Sequence, residues 1–205
     1  DIYGDTFEFL SFKEALSQTP PILSDYKIVT MMINEKEVAD LVKKRAFVKP
    51  NKGKWNEEIE ADMLAGMLAL RKAIRRFKIN HTITFHNSIA KAEAFKENQS
   101  VFTEIFPQYW KTENFHVSGA MSTSVRDSHL QEFKSSNRAI ITNARCLTEG
   151  VDVPDIDCVM FADPKKSTVD IVQAVGRALR ISKNKKMSYV MVPVIIEDDM
   201  EFEDS

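Results

Sequence analysis

The sequence predicts an α/β fold, an open parallel sheet with helices on both faces. Three observations carry this. From residue 80 onward, short apolar runs alternate with helical stretches of about ten residues, the rhythm of βαβ units. The runs at Ile140–Ile141 and Val190–Ile196 are apolar at nearly every position, as strands covered on both faces must be. Ahead of them, Ile59, Met63, Met67, Leu70, Ile74 and Phe77 step by four, four, three, four and three, which is one apolar stripe of a long helix.

Residues 1–33 divide into a connector and a first strand. Ser11 caps a short helix, and Pro20 and Pro21 stop it. Tyr26–Ile33 alternates in part and reads as a strand. Residues 34–79 form a second segment. Its first part, to residue 56, is polar and reads as an exposed connection, and Asn56 then caps the long helix. Glu57 and Glu58 at the start of that helix, and Arg71, Lys72, Arg75, Arg76 and Lys78 near its end, suit the helix dipole. The basic end reads first as a solvated helix terminus and second as a nucleic-acid contact.

Residues 80–195 hold the main alternation. Strands are expected at Thr82–Phe85, Phe115–Ser118, Arg138–Thr142, Asp157–Asp163 and Ser188–Ile196, with helices over 88–99, 124–136 and 167–179 between them. Residues 196–205 are an acidic tail.

The chain has 205 residues and a formal net charge of −2, so any nucleic-acid binding must come from a local patch. Two cysteines, Cys146 and Cys158, do not make a disulfide framework, and the expected compartment is a reducing cytoplasm. No apolar run approaches the roughly 18 residues of a membrane helix. The chain opens without Met and is expected to be a piece of a longer protein.

Three segments sit where strands are expected to end: Phe85–Ser88, Ser118–Ser122 and Thr142–Asp152. In an open α/β sheet, ligands bind outside the carboxyl ends of the strands. Phe85, His86, Asn87, Ser118, Gly119 and Thr142 therefore form a candidate edge on which helix N-termini and hydroxyls meet phosphates. Taken singly, Asn87, Ser118 and Ser122 are ordinary turn or cap residues. Gly150 and Asp152 lie in "GVDVP"; the carboxylate, between two valines, either caps a turn or accepts a bond from a ligand hydroxyl such as a ribose.

The segment "QAVGRALR" places Gln173, Arg177 and Arg180 at i, i+4 and i+7, one face of a helix. Two guanidiniums and an amide make a fork for an anion. Gly176, in mid-helix, costs about 1 kcal/mol and implies a packing or functional reason. The alternative is a surface helix paired with Asp170 or its neighbours.

These segments together resemble the second RecA-like domain of superfamily 2 helicases. "TITFHNS", "HVSGAMSTSVRDSHLQEFK", "RAIITNARCLTEGVDVP" and "QAVGRALR" are similar, in order and spacing, to motifs IV, IVa, V and VI. The opening from Tyr3 to Val29 more loosely resembles the connection after the first motor domain in restriction-enzyme motors. The resemblance implies that Arg177 and Arg180 reach the γ-phosphate of ATP held by a preceding domain. Gln173 would couple nucleotide to nucleic acid, and Gly150 and Asp152 would be the motif V pair, with Asp152 near the ribose or motif VI. Phe85, His86, Asn87, Ser118, Gly119 and Thr142 would follow the nucleic-acid backbone, and Arg126 would open the motif IVa helix in a structural role.

Two positions depart from the family pattern. Asn143 stands where Asp is common, and Glu149 where Arg is common. No GxxxxGK[ST] loop occurs, so ATP and Mg²⁺ are expected mainly on the N-terminal RecA-like domain of the same protein. The expected function is the C-terminal motor domain of an ATP-dependent DNA helicase or translocase, an ATP hydrolase in the parent protein and inactive alone. The alternatives are a RecA-like binding module without ATPase activity and, more weakly, a phosphate-dependent transferase.

Overall fold

The computed structural model describes residues 17, 25–43, 57–144, 156–163, 175–176 and 187–196. Six strands form one sheet: β1 (Tyr26–Asn34), β2 (His81–His86), β3 (Glu113–Ser118), β4 (Ala139–Ala144), β5 (Cys158–Phe161) and β6 (Ser188–Ile196). Their order is β1-β6-β5-β2-β4-β3, and every neighbouring pair is parallel. The described helices are α1 (Glu35–Lys43), α2 (Glu57–Phe77), α3 (Ile89–Ile105) and α4 (Thr123–Ser135). The expected RecA-like open sheet is present. β2 lies at its centre, flanked by β4 and β5, so the chain changes side of the sheet between those two strands.

Each face has its own core. On one, Leu64, Met67, Leu70 and Ile74 of α2 pack with Phe95 and Phe102 of α3 against Ile33, Ile140, Met160 and Met191 of the sheet. On the other, Leu130 and Phe133 of α4 pack with Val175 against Ile83, Phe85, Val117, Ile141 and Val159. The side chains of successive strand residues point to opposite faces, which is why Ile140 and Ile141 belong to different cores. Burial on α2 is broader than its apolar stripe, because Ala65, Ala69 and Ala73 are also buried. Gly66 lets that helix approach the sheet: a Cβ there would lie 3.1 Å from the Cε methyl of Met160.

α1 occupies a stretch expected to be an exposed connection. The Asn34 side chain accepts a hydrogen bond from the Lys36 N–H at 2.7 Å, as a capping residue does. Val38 is buried against the first core, and the Glu37 carboxylate pairs with Lys72 of α2 at 2.7 Å. Val38 begins an apolar i, i+3, i+4 set with Leu41 and Val42, and the Glu37–Lys72 pair ties the helix to α2. α3 runs to Ile105, past its expected end, and buries Phe102 in the extra turns. Ser88 caps it by accepting from Lys91 N–H, and Ser122 caps α4 by accepting from Val125 N–H.

The basic end of α2 splits into two environments. Arg75 and Arg76 are exposed, as expected. Arg71 is buried, 1% exposed. Its Nε donates to Gln99 Oε1 at 2.6 Å, Nη1 to the Trp110 carbonyl at 2.8 Å and Nη2 to the Gln99 carbonyl at 2.8 Å. Phe102 covers its face at 5.4 Å. Burial lowers its pKa to about 10, so it remains charged at neutral pH. The helix ends at Lys78 in the left-handed region, φ 55°, and the Ile79 N–H reaches back to the Ile74 carbonyl at 3.2 Å.

The expected short helix after Ser11 lies outside the described residues except for Ser17, and the acidic tail lies beyond them from residue 197. Of the expected helix over 167–179, Val175 and Gly176 are described and are helical. The Cys158 thiol is free and fully buried, and burial pushes its pKa up, which keeps it an unreactive thiol. No described helix is long and apolar enough to cross a membrane.

Candidate functional site

Parallel register brings the candidate segments to one edge. His86 of β2 and Ser118 of β3 both pair with Ala144 of β4, and Phe85 pairs with Phe161 of β5. The loops leaving these four strands therefore start at nearly the same level of the sheet, on the side where α/β sheets take ligands.

Around β2 and β5 the edge is organised by Asp163. Its Oδ2 accepts from the Asn87 N–H at 2.9 Å, and its Oδ1 pairs with Lys91 Nζ at 2.6 Å. The His86 Nδ1 is 4.0 Å from Oδ2, and its Nε2 is 2.9 Å from the Thr84 hydroxyl. Asp163 thus ties the turn into α3 to the end of β5. Phe85 is buried and stacked on Phe161, with centroids 5.7 Å apart. His86 is likewise buried, whereas Asn87 is exposed.

Around β3 and β4 the edge is organised by His116. It is Thr142's register partner, and its Nδ1 lies 2.9 Å from the Thr142 hydroxyl. Thr142 is 0% exposed. From the opposite face, His129 Nδ1 of α4 hydrogen-bonds the His116 carbonyl at 2.8 Å. Burial first, then electrostatic interaction with His129 and Lys96, lowers the His116 pKa to about 4, against an opposing contribution from the Thr142 hydrogen bond; the ring is neutral at physiological pH. Ser118 is buried, and its carbonyl accepts from the Met121 N–H at 3.1 Å in the turn into α4. Gly119 is exposed at the tip of that turn. Arg126 is half-buried in the first turn of α4, and Asn143 is fully buried next to Thr142.

Of the expected backbone-contacting set, then, Asn87 and Gly119 present themselves to solvent, while Phe85, His86, Ser118 and Thr142 are buried beneath them. Gly150, Asp152, Gln173, Arg177 and Arg180 lie outside the described residues. Val175 is packed in the α4-side core, against the same strands whose ends form the edge. His116 and Asp163 were not among the sequence candidates. A histidine between Phe115 and Val117, and an Asp just beyond a buried apolar strand, were the signals available for them.

The chain is similar to proteins described as ATP-dependent helicases and restriction enzymes. It is 32% identical over 95 residues to the putative ATP-dependent helicase IRC3 of Saccharomyces cerevisiae, an overlap of 39% of this chain and 14% of that protein. The ATP-dependent Type ISP restriction-modification enzyme LlaBIII, solved bound to DNA, superposes over 97% of this chain and 14% of its own, with a TM-score of 0.73 and 27% identity. The C-terminal part of the Fun30 ATPase domain shares the fold, with a TM-score of 0.53 and 14% identity over 80% of this chain and 50% of that one. The chain therefore spans about one-seventh of IRC3 and of the LlaBIII enzyme. The model of the helicase conserved C-terminal domain matches residues 65–182, more than half of the sequence. The chain belongs to that family, as a second RecA-like domain of the superfamily 2 helicases.

Proposed function

We propose that this chain is the C-terminal motor domain of an ATP-dependent DNA helicase or translocase. In this reading a preceding RecA-like domain holds ATP and Mg²⁺. Arg177 and Arg180 reach the γ-phosphate from this side, and Gln173 couples that contact to the nucleic acid. Gly150 and Asp152 form the motif V pair, with Asp152 near the ribose or motif VI. The loops after β2, β3 and β4 follow the phosphate backbone, with Asn87 and Gly119 as the exposed members. Repeated closure of the two domains on ATP would step them along a strand.

The observation that supports this best is the alignment of His86, Ser118 and Ala144 in one register row, which starts three candidate phosphate-facing loops side by side. The likeness to an enzyme solved bound to DNA favours DNA as the nucleic acid. An arginine reaching a transferring phosphoryl group is worth about 10³–10⁵ in rate. Arg177→Ala in the longer protein should therefore abolish DNA-stimulated ATP hydrolysis and leave DNA binding largely intact. Unchanged turnover would remove the central assignment. The isolated chain should hydrolyse no ATP above background.

A further inference from the structure

Thr142 is expected at the nucleic-acid edge, yet its side chain is completely buried and its hydroxyl is engaged with His116. His116 in turn is held from both layers. Its ring faces Glu93 of α3, with Nε2 3.9 Å from Oε1, and its carbonyl takes the His129 bond from α4. Nε2 is buried and has no hydrogen-bond partner among the described residues. A buried polar nitrogen without a partner costs free energy, and a leucine of similar volume would avoid that cost. The imidazole's contribution is therefore the Nδ1 bond across to β4.

We propose that His116 is a positioning residue for the DNA-contacting edge. By bolting the end of β3 to Thr142, it sets the spacing between the Ser118–Ser122 turn and the end of β4. In the motor reading, on which this inference rests, Ser118, Gly119 and Thr142 belong to the backbone-contacting edge. His116 touches no substrate itself. It acts through the two strand ends on either side of its cross-strand bond, and the bond serves in either imidazole tautomer, because a hydroxyl both donates and accepts.

The amide of Asn mimics Nδ1, and that of Gln mimics Nε2, so two polar variants separate the bond from simple packing. The experiment uses the longer protein and a blunt duplex oligonucleotide. It reads the DNA concentration giving half-maximal ATPase stimulation, the maximal rate and direct DNA affinity. His116→Gln should raise the half-maximal concentration and the dissociation constant about fivefold, the factor carried by one neutral hydrogen bond. Its unstimulated ATPase should stay at the parent level. His116→Asn should stay near the parent in all three. Thr142→Val should raise the half-maximal concentration and the dissociation constant at least as much as His116→Gln, and adding His116→Gln to it should change them no further. Equal losses in Asn and Gln, or an additive double variant, would overturn the proposal. A parent protein that neither binds duplex DNA nor responds to it overturns the motor reading and this proposal with it, whereas Arg177→Ala tests the arginine assignment separately.

Discussion

Arg71 and His116 are both polar side chains buried under α/β layers, and they are accommodated in different ways. Arg71 uses all three guanidinium nitrogens on neutral oxygens from two segments and lies over an aromatic ring. It closes the end of α3 and the stretch leading to β3 onto α2; its residual cost falls on Gln99 Nε2, which has no hydrogen-bond partner among the described residues. His116 makes one side-chain bond and leaves its other nitrogen without one. The difference separates a group that holds the fold from one that aligns two strand ends at an edge. The first bonds α3 and the stretch leading into β3, and the second sits two residues before the end of β3.

The largest expected effect tests the structural member of the pair. Arg71→Leu leaves two main-chain carbonyls and the Gln99 amide without their donor, and should cost about 3 kcal/mol in urea unfolding. Arg71→Lys should recover little of it, because a single ammonium cannot reproduce the fork. A loss below about 1 kcal/mol for the Leu variant would show that those carbonyls find other donors, and would erase the distinction.

The second test addresses His116 through pH. Its folded pKa of about 4 lies below the ordinary 6.5, so the unfolded chain takes up the proton first. The stability it supports is complete above about pH 6.5, is lost as pH falls toward 4, and changes no further below that. The slope contributed by this one group is at most about 1.4 kcal/mol per pH unit within the window. His116→Asn should remove that component, seen as a shallower fall in unfolding free energy between those limits. Parallel curves for parent and variant would break the assignment of a buried, neutral imidazole.

The smallest effect concerns neither group and calibrates the scale. Lys78 sits at a positive φ where glycine is at ease, and Lys78→Gly should be neutral to stabilising by about 0.5 kcal/mol. A clear destabilisation in the same urea series would mean that the lysine side chain contributes a contact outweighing the backbone strain.

Much of the fold was legible in advance. The five strands and two described helices after residue 80 fall where the alternation places them, with shifts of a few residues at their ends. The α2 stripe was visible because six apolar residues recur at helical spacing. α1 was not, since it lies inside a polar stretch read as an exposed connection, and its Val38 and Glu37 find their partners only once α2 is beside it. The basic end of α2 looked uniformly solvated, but Arg71 meets partners 28 and 39 residues away, and no local window contains them. At the edge, the loop segments were legible as motifs. Asp163 and His116 were not, because each acquires its role from a partner far along the chain.

The sequence by itself determined the local elements, the α/β class and the motif order that places this chain among helicase motor domains. Periodicity and turn chemistry act over a few residues, and those features are written at that range. Only the tertiary structure decided that β4 and β5 flank β2, that His116 faces Thr142 rather than solvent, and that Arg71 is core while Arg75 and Arg76 are surface. Those outcomes depend on strand register and on which helix covers which face. A one-residue slip in register would turn His116 to the other side of the sheet.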